Sequence, residues 1–201
     1  MRGSIKTDAK ISTTRKIKKL KLTKSDTLDI IFEEFVTIFE IIDGIETTKE
    51  ISSENTRTGK NIVHDDMKNA LMFLRPHLAI LCDQVEAQNK DFHELDDDTE
   101  ALDKYKVNSF SIGGSDIHEG VTLTGVRFGK SGKPLNLNSP FTKFEGSDNE
   151  DNYEYGYELR GVINHCNEEA LLYIDGKMAP NAQLDLFDQE EEENPEGEEY
   201  E

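Results

Sequence analysis

The sequence contains no tryptophan and only two cysteines. Cys82 and Cys166 stand far apart, each on the apolar face of a predicted helix. That pattern excludes a disulfide-stapled scaffold and predicts reduced, buried thiols in a cytoplasmic protein. No apolar run reaches the roughly 18 residues that a membrane-spanning helix needs. The charged N-terminus has no apolar stretch behind it, so no secretory signal is expected. Apolar residues make up only 35% of the chain, against 32% charged. A good share of the length must therefore lie outside a packed core, although 201 residues suffice for one well-buried domain.

Basic residues are also in deficit, and unevenly so. The net charge is −19. Residues 1–25 nevertheless hold nine Lys/Arg against one Asp, whereas residues 188–201 hold nine Asp/Glu and no base. The stretch between them holds 14 basic and 32 acidic residues. Such a body repels a phosphate backbone over most of its surface, so any nucleic-acid contact must use the basic N-terminal stretch or a local patch.

What is present reads as an α+β domain over residues 15–176, with a flexible basic segment 1–14 before it and a disordered tail 177–201 after it. "RKIKKLKLT" (15–23) alternates leucine with lysine and predicts a half-buried edge strand guarded by charge. "TLDIIFEEFV" (27–36) fits both the strand and the helix period; its Ile, Phe, Thr and Val favour a strand. Residues 45–53 give a third strand and 54–61 a loop. Over 64–86, Met67, Leu71, Leu74, Leu78, Leu81 and Val85 recur on one helical face, with Pro76 predicting a kink near residues 72–76. Residues 87–105 read as an acidic connector. Beyond it come a strand (106–112), a hairpin or meander (120–144) turning at Gly129–Lys133 with a bulge at Gly125, an acidic loop (145–156), and a helix over 157–175. The order suggests two similar strand–strand–helix halves, 15–86 and 106–176, packed as one domain.

Catalytic signatures are missing. The five histidines show no H-E-x-x-H spacing, and no C-x-x-C occurs. His165 and Cys166 are adjacent, so on a helix their side chains diverge by about 100°. "SDNEDNYEYG" (147–156) has the acid density of a calcium loop but places Tyr153 where the turn glycine belongs. "FGKSGKP" (128–134) lacks the spacing of a phosphate-binding loop. The expectation is a non-enzyme without cofactor or metal.

Single-strand binders combine a basic groove with exposed aromatic rings. Within the body, residues 126–144 carry that mixture: Arg127, Phe128, Lys130, Lys133 and Lys143, with Phe141 and Phe144. With the N-terminal lysines they form the candidate nucleic-acid-binding set. The same residues also suit a sheet with phenylalanines inward and lysines outward.

The tail carries a sharper signal. Gln183, Leu184, Asp185, Leu186 and Phe187 spell "QLDLF". This resembles the pentapeptide by which bacterial DNA polymerases and repair proteins dock on the sliding clamp, and all five positions fit. The resemblance implies that Leu186 and Phe187 fill an apolar cleft, with Gln183 hydrogen-bonded at the other end. The competing fate of these apolar residues is to fold back onto the domain as an extra strand. "VHDDMKNALMFLRPHLAIL" (63–81), "GVTLTGVRFGKSGKPLNLNSPF" (120–141) and "YELRGVINHCNEEALLYI" (157–174) resemble small bacteriophage proteins found among replication and recombination functions. Together these resemblances imply a phage DNA-metabolism accessory protein acting in the bacterial cytoplasm, with the sliding clamp as partner. The alternative is a single-stranded DNA-binding protein with an acidic, displaceable tail.

Overall fold

The computed structural model describes residues 10–42, 45–145 and 153–180. Its frame is one antiparallel sheet of seven strands, in the order β3-β2-β1-β4-β5-β6, with β7 also paired to β5. The strands are β1 (Lys10–Leu22), β2 (Leu28–Ile42), β3 (Ile45–Thr58), β4 (Tyr105–Gly113), β5 (Gly120–Phe128), β6 (Pro134–Asn138) and β7 (Thr142–Lys143). Two meanders, β1-β2-β3 and β4-β5-β6, meet where β1 runs antiparallel to β4.

The helices are α1 (Asp65–Met72), α2 (Arg75–Leu81), α3 (Phe92–Asp96), α4 (Thr99–Leu102) and α5 (Gly156–Ile174). Leu71 of α1, Leu74 at the junction, Leu78 of α2 and Leu159, Ile163 and Cys166 from α5 join Leu20, Phe110 and Leu123 of the sheet in one core. The helices thus cover one face of the sheet. Arg57 ties them down by donating to the Ile174 carbonyl at 2.6 Å, and Tyr173 donates to the Asn61 carbonyl at 2.6 Å.

Several sequence expectations change. The lysine-rich segment is an interior strand, not an edge: β1 lies between β2 and β4. Lys16, Lys19 and Lys21 fit there because they stand on the face away from the core. Strand β1 also begins at Lys10, inside the segment expected to be flexible, because its residues pair with β2 as far as Phe39. Residues 28–42 are a strand, as their composition favours, and the third strand runs on to Thr58 through part of the expected loop.

The helical stripe over 64–86 is two helices. Pro76 has no N–H to offer the ladder and sits in the first turn of α2, where none is needed. His64 caps α1, its Nδ1 accepting from the Asp66 N–H at 3.2 Å. The acidic connector folds into α3 and α4, because Asp91 and Glu94 form a reciprocal capping box and Asp98 caps the next turn. The bulge lies on β4, between Val107 and Ser109, opposite Gly125 rather than at it. Gly125 is needed for close approach, since a Cβ there would meet the Lys106 carbonyl at 2.4 Å. The β5–β6 turn and α5 fall where expected, and Gly176, at φ +109°, follows α5.

Candidate nucleic-acid interface

Directly opposed residues of an antiparallel ladder share a face, so the strand register assigns the side chains. Leu20, Phe110 and Leu123 are cross-strand neighbours on the helix side. The next row belongs to the other face: Thr58, Asp29, Lys21, Ser109, Thr124 and Asn138, one from each strand from β3 to β6. A parallel row holds Thr56, Ile31, Lys19, Ser111 and Thr122. None of these residues is buried, and no described helix covers them. At ~4.8 Å per strand the six-residue row spans about 24 Å.

Two bulges keep this division intact. One falls between Ile17 and Lys19, so that Ile17 and Leu20 both point inward although three residues apart. The other does the same for Val107 and Phe110.

Lysines collect on the open face. Lys16 and Lys18 reach carboxylates, Glu119 at 2.6 Å and Glu33 at 3.2 Å. Lys19 and Lys21 are exposed and make no ion pair among the described residues. They line a shallow cleft of about 280 Å³ with Asp29, Ile31, Thr56 and Thr58. In that cleft one oxygen of the Asp29 carboxylate is shielded from solvent without a hydrogen-bond donor. The cleft therefore offers two cations, several hydroxyls and an open acceptor. That set suits a ligand with anionic oxygens and N–H groups.

Aromatic rings follow along β2. Phe35 stands opposite Thr14 and Phe39 opposite Lys10, in the same alternation as Ile31 and Asp29 and hence on the open face. Phe39 is 42% exposed. Lysines on β1 beside phenylalanines on β2 make a basic-aromatic track that residues 126–144 do not monopolise, contrary to the linear reading. The signal was in the sequence, as the lysine–leucine alternation of 15–23, but the rings become its neighbours only through the β1–β2 register.

The set expected from residues 126–144 is divided. Arg127 is engaged by Glu86, with Nε to Oε2 at 3.1 Å and Nη2 to Oε1 at 2.5 Å. The Tyr105 hydroxyl donates to the same carboxylate at 2.6 Å. Burial works to raise the Glu86 carboxyl, but the donors Arg127 and Tyr105 outweigh it and hold it at about 2. Burial, then the contact with Glu86, pushes the Tyr105 phenol up. Phe128, at the end of β5, lines a second, more apolar cleft of about 360 Å³ with Leu22, Leu71 and Met72. Lys130 and Lys133 are exposed in the β5–β6 turn. Lys143 lies opposite Gly120, at the far end of β5. Phe144 is buried, with the Arg160 guanidinium 5.2 Å from its ring centre. These residues do not form one surface.

Gln183, Leu184, Asp185, Leu186 and Phe187 lie outside the described residues, as does most of the acidic loop before Tyr153. Both cysteines are free thiols; Cys166 is buried, which pushes its thiol up to about 12, and Cys82 is half-buried. Among the described residues no cluster of His, Cys, Asp and Glu could hold a metal ion. No described helix is long and apolar enough to cross a membrane. No protein-family model, curated protein or solved structure matches the chain.

Proposed function

We propose that the protein is a non-catalytic accessory factor of phage DNA replication or recombination that holds single-stranded DNA on the open face of its sheet. The observation that carries this reading is the pair Lys19 and Lys21, exposed and without carboxylate partners among the described residues of a chain of net charge −19. Phosphates would lie against the lysines, and bases against Phe35, Phe39 and Ile31. Base stacking on the two phenylalanine rings contributes ~1–3 kcal/mol per base and tolerates any sequence. The surrounding acidic surface limits affinity and disfavours a duplex, whose paired backbones would meet it over a wider area.

Fluorescence anisotropy with a labelled oligonucleotide tests this. Replacing Lys19 and Lys21 by alanine together should weaken binding at least about tenfold. It should also lower the slope of log affinity against log salt by about 1.4, roughly 0.7 per phosphate contact. If Lys130→Ala with Lys133→Ala has that effect instead, the interface is the β5–β6 turn. Equal binding by all variants rejects both sites.

The pentapeptide at Gln183–Phe187 favours a second function of the same protein, docking on the bacterial sliding clamp. Leu186 and Phe187 would each contribute ~1.5–3 kcal/mol by burial, opposed by the ordering of the segment, for a micromolar complex at about −8 kcal/mol. Leu186→Ala with Phe187→Ala should abolish retention on immobilised clamp, and unchanged retention refutes it. The acidic residues 188–201 would compete with DNA for the lysines, so their deletion should tighten oligonucleotide binding. The two meanders, each followed by helix and joined through β1 and β4, are consistent with two similar halves. The site of action on this reading is the bacterial cytoplasm.

A further inference from the structure

One edge of the sheet carries a further surface. Strand β3 pairs with β2 through an unbroken register from Ile45 opposite Ile42 to Thr58 opposite Asp29, with no bulge. Among the described residues nothing pairs with its other side. Edges are protected by shortness, a bulge, proline or charge; this one is long, regular and free of proline, and its charged residues, Glu46, Lys49, Glu50, Glu54 and Arg57, are of both signs, so they guard it only in registers that oppose like to like. Near its middle Ile51 is 45% exposed and stands opposite Val36 on the helix-side face. Ile11 and Ile38, opposed to each other on the same face, extend the apolar patch, and Ile11 is 63% exposed.

We propose that β3 pairs antiparallel with β3 of a second copy of this chain, about a two-fold axis at Ile51. Overlap and charge together select the register of a self-pair: centres toward either end, such as Thr47 or Asn55, pair at most seven of the fourteen strand residues, and among the longer overlaps one keeps like charges apart. Two-fold pairing sets one residue opposite itself and the residues on either side opposite each other. Centring on Thr48 or Ser52 opposes Glu50 to Glu46 or to Glu54; centring on Lys49, Glu50 or Glu54 opposes a charge to itself; centring on Ser53 opposes Lys49 to Arg57. Directly opposed like charges destabilise a ladder. Centring on Ile51 opposes none: Lys49 meets Ser53, Glu50 meets Ser52 and Glu54 meets Thr48. The same register joins Val36 and Ile51 of both copies in one apolar row. It also makes a single twelve-strand path from β6 to β6, with the open faces of both copies on one side.

Sedimentation equilibrium of the full chain tests the pairing. The expected result is a dimer that Ile51→Lys shifts to monomer, with at least a tenfold higher dissociation constant. An intact circular-dichroism spectrum and unfolding midpoint show that this variant still folds. In a Cys82→Ser background, Ile51→Cys should form an intermolecular disulfide on oxidation, whereas Glu46→Cys, opposed to Thr56, should not. A wild-type chain that stays monomeric at all concentrations overturns the proposal. So does a dimer that survives Ile51→Lys with no Ile51→Cys cross-link, or one that forms only when oligonucleotide is added, which assigns the association to bridging by DNA.

Discussion

The two faces of strand β1 are made from one stretch of chain and behave as opposites. Toward the helices stand Ile17, Leu20 and Leu22, all buried; toward the open side stand Lys16, Lys19 and Lys21, all exposed. Alternation alone gives each residue its side, and the bulge at Lys18 corrects the phase where the spacing slips. The inward set holds the fold; of the outward set Lys16 is paired with Glu119, while Lys19 and Lys21 make no ion pair among the described residues. A strand can therefore be central and lysine-rich at once, provided nothing covers its second face.

Substitutions on the two faces should separate stability from binding. The largest loss is expected at Phe110, fully buried opposite Leu20: Phe110→Ala should cost about 3–5 kcal/mol in urea unfolding. A comparable cost at Lys19 would break the comparison. Glu86→Ala, on the helix side, strips Arg127 and Tyr105 of their shared acceptor and should cost about 2–3 kcal/mol by the same measurement.

His77 gives the covered face a pH dependence. It is buried against Phe92 and Tyr153, its Nδ1 2.9 Å from the Tyr153 hydroxyl, and burial holds it near 3 instead of its ordinary 6.5. The unfolded chain then takes up the proton first. Stability is complete above about pH 6.5 and declines as pH falls toward 3, by about 2 kcal/mol at pH 5. Glu86, held at about 2 against an ordinary 4.5, adds a second loss below pH 4.5. In His77→Phe the slope between pH 6.5 and 4.5 should vanish while the lower limb remains. The smallest effect on stability belongs to Lys19→Ala with Lys21→Ala, within about 0.5 kcal/mol, although this pair should have the largest effect on oligonucleotide binding. A stability loss of several kcal/mol there would assign the lysines to the fold.

Much of this division was legible in the chain. The leucine stripe of α1 and α2, the turn at Gly129–Lys133 and the long helix ending before Gly176 followed from period and turn chemistry, which act over a few residues. In the acidic connector the polar composition masks the helix caps, although Asp91 and Glu94 stand at capping-box spacing. Local sequence presents Arg127 as a free cation, because its partner, Glu86, is remote in sequence and nothing local marks it. The interior place of β1 was equally hidden, since alternating lysines look the same on an edge strand and on one open face of a central strand.

The sequence by itself determined which side chains point together along each strand and helix, because those periods are local properties of the backbone. It also wrote the acidic tail and the pentapeptide within it. Only the tertiary structure decided that Lys19 and Lys21 lie amid Thr58, Asp29, Ser109 and Thr124, that Phe35 and Phe39 share their face, and that β3 is left at the edge. Those facts depend on which strands pair and in what register, and pairing is settled by burying the helix-side face as a whole.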